Sequence, residues 1–186
     1  MLSAITSTSF KARHLVCLDL HRSDAMGDGG GLDSGSARRV HNCRRLMTYG
    51  RTVGWKITHV FDHTVRARRA WAIEGLEPLQ IEPVLYRTGV SAFSNRMFRE
   101  RVEAASEAEL ILVSLSLSPA CLATALAARD RGVAVALVED SLEGSPGAAA
   151  GLDAIRTLAS SIAAPFIRVT RTDALIDVRR GLRVVT

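Results

Sequence analysis

Short apolar runs recur along the chain, separated by charged segments, and six of them have the length and side-chain type of strands buried on both faces. They are HLVCLDL (14 to 20), WKITHVFDH (55 to 63), PVLYR (83 to 87), ELILVSL (109 to 115), VAVALVE (133 to 139) and APFIRVTR (164 to 171). Between the first two, residues 36 to 50 carry Val40, Cys43, Leu46 and Met47 at helical spacing, with Ser36 as the cap and Gly50 as the stop. Further helices are expected from Asn95 to Ala105, from Pro119 to just before Gly132, and over AAAGLDAIRTLASSI (148 to 162). Strands alternating with helices predict an α/β fold, a three-layer doubly wound domain with a six-stranded, mostly parallel sheet. Right-handed crossovers would place helices on both faces.

The same pattern settles one ambiguity of hydropathy. Leu110 to Ala128 is uncharged for 19 residues, close to a membrane span. Four Ser or Thr and a proline break it, so it reads as strand, turn and helix, and no membrane partner is expected. Residues 1–13 are expected to form a loose N-terminal arm and residues 14–186 a single domain, since 186 residues can bury about 70% of the unfolded chain's surface. The Gly-rich stretch AMGDGGGLDSGS (25 to 36) lies too far past the first strand, and is wrongly spaced, for a dinucleotide-phosphate fingerprint. It is expected to be a loop over the carboxyl edge of the sheet.

Composition adds little beyond exclusions. The net charge is +5, and the densest basic cluster, RARRAW (66 to 71), is not continued into an aromatic and basic platform, so no nucleic-acid partner is expected. Cysteines 17, 43 and 121 are odd in number and widely spaced, which points away from a disulfide framework or a structural zinc site and toward a reducing cytoplasm.

Candidate chemistry collects at strand ends. In doubly wound sheets ligands bind outside the carboxyl ends of the strands, and Asp19, Arg87 and Cys121 sit at or just beyond such ends. Ser118 and Pro119 have the chemistry of an N-cap and a first helical residue, which places Cys121 in a first helical turn, where the unpaired amides and the helix dipole favour a thiolate. A nucleophilic thiol needs a base, a cation and oxyanion donors. Asp19, Arg87 and the turn amides can supply them.

From His14 to Leu175 the chain resembles the isochorismatase-like cysteine hydrolases. The resemblance rests on LVCLDLH, on RTGVSAF (87 to 93) in place of a K-x-x-x-S-A-F segment, and on CLATALAARDRG followed by VAVALVEDSLEGS. It implies Asp19 as the catalytic aspartate, Cys121 as the nucleophile and Arg87 as the cationic member. It also implies a cis peptide between Ser116 and Leu117, with Leu117 and Cys121 N–H forming an oxyanion hole. Ser116, Leu117, His21, His63 and Phe93 are the implied substrate-binding residues.

The chain departs from that pattern in identifiable ways. Arg87 replaces the family's lysine, and the chain's only lysines are Lys11 and Lys56; a guanidinium keeps its charge but exchanges no proton near neutral pH. His21 stands where Gln is usual, Asp24 for an aromatic, Pro119 for a polar residue and Leu115 for Gly. Some relatives, the nicotinamidases, bind a metal through an aspartate and two histidines near the second strand. Here Asp62 and His63 are adjacent and point to opposite faces, while His59 and His63 lie roughly 13 Å apart along a strand. No metal and no cofactor are therefore expected.

The resulting expectation is a cytoplasmic small-molecule hydrolase cleaving an amide-type C–N bond through a Cys121 thioester. Asp19 is base and acid, and Arg87 stabilises charge. The alternatives are a catalytically silent relative that binds a metabolite or a partner, and a nucleotide-binding flavodoxin-like domain. Trp71 and Phe98 are candidate exposed apolar residues for a homo-oligomer. Substrate choice is assigned to the loops 22 to 36 and 64 to 82.

Overall fold

The structure, a computed structural model, describes residues 12–21, 34–64, 73–105, 108–142, 148–161 and 167–176. Most of the expected N-terminal arm, Asp24, most of the Gly-rich stretch, the RARRAW cluster with Trp71, and residues 164 to 166 lie outside the described residues.

Each apolar run contains a strand: β1 (Arg13–Leu18), β2 (Lys56–Asp62), β3 (Val84–Arg87), β4 (Glu109–Val113), β5 (Val135–Val138) and β6 (Ile167–Thr170). They form one sheet in the order β3-β2-β1-β4-β5-β6, and every pairing is parallel. The order reverses between β1 and β4, which creates the crevice where doubly wound sheets bind ligands.

The helices are α1 (Ser34–Thr52), α2 (Arg96–Glu103), α3 (Pro119–Arg129), α4 (Ala148–Ser161) and α5 (Thr172–Leu175). Strand side chains alternate between two cores, as the two-residue period of a strand requires. Leu15, Cys17, Ile111, Val113, Ala136 and Val138 meet Val40, Cys43, Leu46 and Met47 of α1 and Leu175 of α5. Val16, Leu18, Leu110, Leu112, Val135 and Leu137 meet Phe98 and Val102 of α2, Ala125 and Ala128 of α3, and Leu152 and Ile155 of α4. The result is three layers. The uncharged stretch from Leu110 to Ala128 divides into β4, a turn and α3, and no helix among the described residues is long and apolar enough to cross a membrane.

Four details correct the sequence reading. First, α1 begins at Ser34, so Ser36 lies within the helix, buried, with its Oγ accepting from Arg39 Nη2 at 2.8 Å. Second, Gly50 does not stop α1: a Cβ there would stand 3.1 Å from a Trp55 ring carbon, so the glycine admits that ring, and the left-handed residue after the helix is Gly54 at φ +73°. Third, Phe98 is fully buried, with its amide capped by Asn95 Oδ1 at 3.0 Å, and offers no surface to a second subunit. Fourth, all described peptide bonds are trans, the one between Ser116 and Leu117 included.

Candidate active site

The end of β1 carries an unusual backbone. Asp19 has φ +50°, the one positive φ outside glycine among the described residues, a conformation that aspartate tolerates better than most side chains. Three hydrogen bonds hold it. Its N–H donates to Val60 O at 2.9 Å, its carbonyl accepts from His21 N–H at 2.9 Å, and its Oδ1 accepts from Asp62 N–H at 2.9 Å. The left-handed turn thereby directs the carboxylate along the sheet's carboxyl edge toward β2.

Arg87, the last residue of β3, reaches the same point. Its Nη2 lies 2.9 Å from Asp19 Oδ2 and its Nη1 2.9 Å from Asp62 Oδ2, while Nη1 also donates to Gly89 O at 3.0 Å. The Arg87 and Asp19 side chains are only 11% and 6% exposed, so the pair is largely shielded from water. Arg87 Nε is buried without a partner. Asp62 Oδ1 accepts from both Thr64 N–H (2.9 Å) and Thr64 Oγ1 (2.8 Å). Those bonds, aided by the nearby Arg87 and His63 charges, keep the Asp62 carboxyl below the usual aspartate range despite the opposing effect of burial.

These groups line an open cavity of about 450 Å³. Asp19, His21, Asp62 and Arg87 come from the strand ends, residues 88 to 90 follow β3, and residues 118 to 120 open α3. Its size suits a small molecule. His21 is buried, with its ring stacked at 6.4 Å on that of Phe61.

The nucleophile candidate sits one residue behind this wall. Ser118 caps α3, with Pro119 at its first position, and Ser118 Oγ accepts the Cys121 N–H at 3.3 Å. The thiol is fully buried, and burial, with a further contribution from the Asp19 charge, pushes it up to about 12. That overturns the expected resting thiolate, because loss of hydration outweighs the helix terminus. The Cys121 amide, an implied oxyanion donor, is engaged by its own cap.

The other sequence-implied residues lie outside the cavity lining. Phe93 is buried in the core, edge-on to Phe98 at 5.0 Å and beneath Arg131 at 4.8 Å. His63 is exposed, with Nδ1 3.4 Å from Asp62 Oδ1. Ser116 and Leu117 are half-buried and outside the cavity lining, and Leu117 packs on the core beside Gly151 of α4. No group of three or more His, Cys, Asp or Glu among the described residues is placed to hold a metal.

The structure thus brings together Asp19, Arg87 and His21 and sets Cys121 immediately behind them. Sequence reasoning missed Asp62 as a member of the charged cluster, although the strand-end rule that singled out Asp19 and Arg87 applies equally to it. It also missed the lining by Thr88, Gly89 and Val90, for which no local signal exists.

Among solved structures, an isochorismatase from Pseudomonas putida KT2440 is 25% identical, covering 88% of this chain and 90% of that one at a TM-score of 0.70. A cysteine hydrolase from Pseudomonas syringae pv. phaseolicola 1448A is 17% identical, over 92% and 93% at 0.67. The N-carbamoylsarcosine amidase from Thermoplasma acidophilum is 17% identical, over 87% and 97% at 0.63. No curated protein sequence matches the chain. The Isochorismatase domain model matches residues 13–173, all six strands of the sheet and the charged crevice with them, and the chain belongs to the isochorismatase family of hydrolases.

Proposed function

We propose that the protein hydrolyses an amide-type C–N bond of a small molecule through a thioester on Cys121. The observation that carries this reading is the buried Asp19–Arg87 pair at 2.9 Å in the wall of an open cavity, close enough to Cys121 for the Asp19 charge to act on its thiol.

A thiol pushed up to about 12 is protonated at neutral pH, so proton removal accompanies attack. As the Cys121 Sγ–C bond forms, the thiol proton passes to Asp19 and the carbonyl becomes an oxyanion. Collapse breaks the C–N bond, and Asp19 returns the proton to the departing amine. Water then attacks the thioester, giving a proton to Asp19. The acid product leaves, and that proton restores the thiol. Arg87 takes no proton in any step; it holds charge beside Asp19 throughout.

The burial of Cys121 supports a second reading, in which the cavity binds a metabolite or partner without turnover. Iodoacetamide labelling at pH 7, followed by peptide mass analysis, separates the two. The hydrolase reading expects Cys121 to label far faster than Cys17 and Cys43, whose thiols lie in the opposite core and are also raised by burial. It also expects ammonia release from members of a panel of small primary amides, reduced about 10³-fold by Asp19→Asn. Three equally slow thiols and no ammonia release would overturn the hydrolase reading and leave the binding one.

A further inference from the structure

We propose that Asp62 is the positioning residue that lets an arginine serve at position 87; this rests on the hydrolase reading above. The sheet order sets the problem. β2 lies between β1 and β3, so Arg87 must cross two strand spacings, about 9.6 Å, to meet Asp19. The side chain crosses over the end of β2, where Asp62 is its direct register partner.

Asp62 holds both ends of the crossing. Its backbone N–H donates to Asp19 Oδ1 at 2.9 Å, and its Oδ2 takes Arg87 Nη1 at 2.9 Å. With the bond between Arg87 Nη2 and Asp19 Oδ2 at 2.9 Å, the three residues close a ring. The Asp62 carboxylate is itself fixed, because Oδ1 is held by the Thr64 N–H and hydroxyl and faces His63 Nδ1 at 3.4 Å.

The ring matters when Asp19 takes the thiol proton. At that moment Asp19 no longer neutralises Arg87, and the guanidinium, which cannot shed a proton, would be left as an uncompensated buried cation. Asp62 keeps it paired and in place. A guanidinium fork reaches two carboxylates through separate nitrogens, whereas an ammonium carries its three donors on one nitrogen at the end of a shorter side chain and would have to meet both acids at a single point. Arg87 and Asp62 therefore form one device, and Asp62 is of little use to a lysine.

The test compares D62N in the native and Arg87→Lys backgrounds. Asn is isosteric and keeps the backbone bond to Asp19. On an amide identified by ammonia release, D62N should lower kcat about 30-fold with KM changed less than about 2-fold, and should lower it less than about 3-fold when residue 87 is lysine. Equal losses in the two backgrounds would overturn the proposal.

A readout independent of turnover is the ¹⁵N spectrum of the Arg87 Nη groups, assigned by their absence from the R87K protein. Separate, slowly rotating Nη signals are expected in the native protein and averaged signals in D62N. Unchanged signals would also overturn the proposal. If no amide is hydrolysed, the hydrolase reading fails while these signals still decide whether Asp62 holds Arg87. Thr64→Val, which removes one bond to Asp62, gives a smaller shift in the same direction should D62N not fold.

Discussion

Two partly buried arginine–carboxylate clusters stand at opposite edges of the sheet, and they are built on opposite ratios. At the amino edge one carboxylate gathers many donors: Glu82 accepts from Arg51 Nε (2.8 Å) and Nη2 (2.9 Å), from His59 Nε2 (2.9 Å) and from the Leu79 N–H (2.9 Å). At the carboxyl edge one arginine is divided between two carboxylates. Against the cost of burial, the donors hold Glu82 down to about 2, so it has no proton to exchange at any ordinary pH. Asp19 shares its cation with a second acid beside a thiol, and in the hydrolase reading proposed above it takes the thiol proton while Asp62 keeps the cation paired. The larger cavity, about 640 Å³ against about 450 Å³, lies at the amino edge beside Glu82. Volume therefore does not single out the proposed site; the balance of donors and acceptors does.

The largest expected effect breaks the amino-edge cluster. Glu82→Gln removes a charge that is 5% exposed and leaves Arg51 and His59 facing an amide, a loss of about 3 kcal/mol, or roughly 6 to 12 °C in Tm for a chain of this size. The Cys121 labelling rate should not change. Asp19→Asn should do the reverse, costing about 1 kcal/mol because Arg87 keeps Asp62, while lowering turnover about 10³-fold. If both substitutions cost the same stability and the same activity, the division into a structural end and a chemical end is wrong. The sign with pH follows from the depressed Glu82 value. Its contribution is complete above the ordinary 4.5 and is lost as pH falls toward about 2.

A smaller effect, in a milder pH range, comes from His14 at the same edge. Its Nε2 is bonded to Thr58 Oγ1 at 2.8 Å, and burial, with the nearby Lys56 and Arg101 charges, lowers it to about 4 from 6.5. The folded protein therefore holds His14 neutral, whereas the unfolded chain takes up a proton as pH drops below 6.5. Stability is full above that value and declines on acidification, by about 2 kcal/mol between pH 7 and pH 5. Urea midpoints measured across this range should fall in the native protein and fall less in His14→Gln. Parallel lines for the two proteins would remove His14 from the account.

The contrast between the edges also explains what the sequence could and could not disclose. Apolar runs report burial on both faces, so all six strands were legible, and Ser118-Pro119 announced the start of α3 by its capping chemistry. Gly50 was misread because a helix stop and a close approach by Trp55 leave the same mark, a missing side chain. Phe98 stands one helical turn before Val102, and that spacing already hinted at a buried face. The Asp19–Arg87–Asp62 ring was less accessible. It exists because β2 is inserted between β1 and β3, a fact of strand order that no local stretch encodes. The protonation state of Cys121 is likewise set by tertiary burial and by Asp19, more than 100 residues away in sequence.

The smallest expected effect probes whether the carboxyl edge depends on packing behind Cys121 as well as on charge in front of it. Gly151 lies within α4, and a Cβ there would come within 2.3 Å of Leu117 Cδ2, in the turn that leads into α3. Gly151→Ala gains about 1 kcal/mol of helix propensity and loses a comparable amount by displacing the end of a flexible side chain. The global stability should therefore stay within about 1 kcal/mol. Leu117 must move, however, and it packs against the same core cluster as Cys121. The substitution should change the iodoacetamide labelling rate of Cys121 severalfold while leaving Cys17 and Cys43, in the other core, unaffected. If Cys121 labels at its native rate, the thiol's environment is set by Asp19 and the cap alone. The chemical end of the molecule would then be as indifferent to its packing as the structural end is to its cavity.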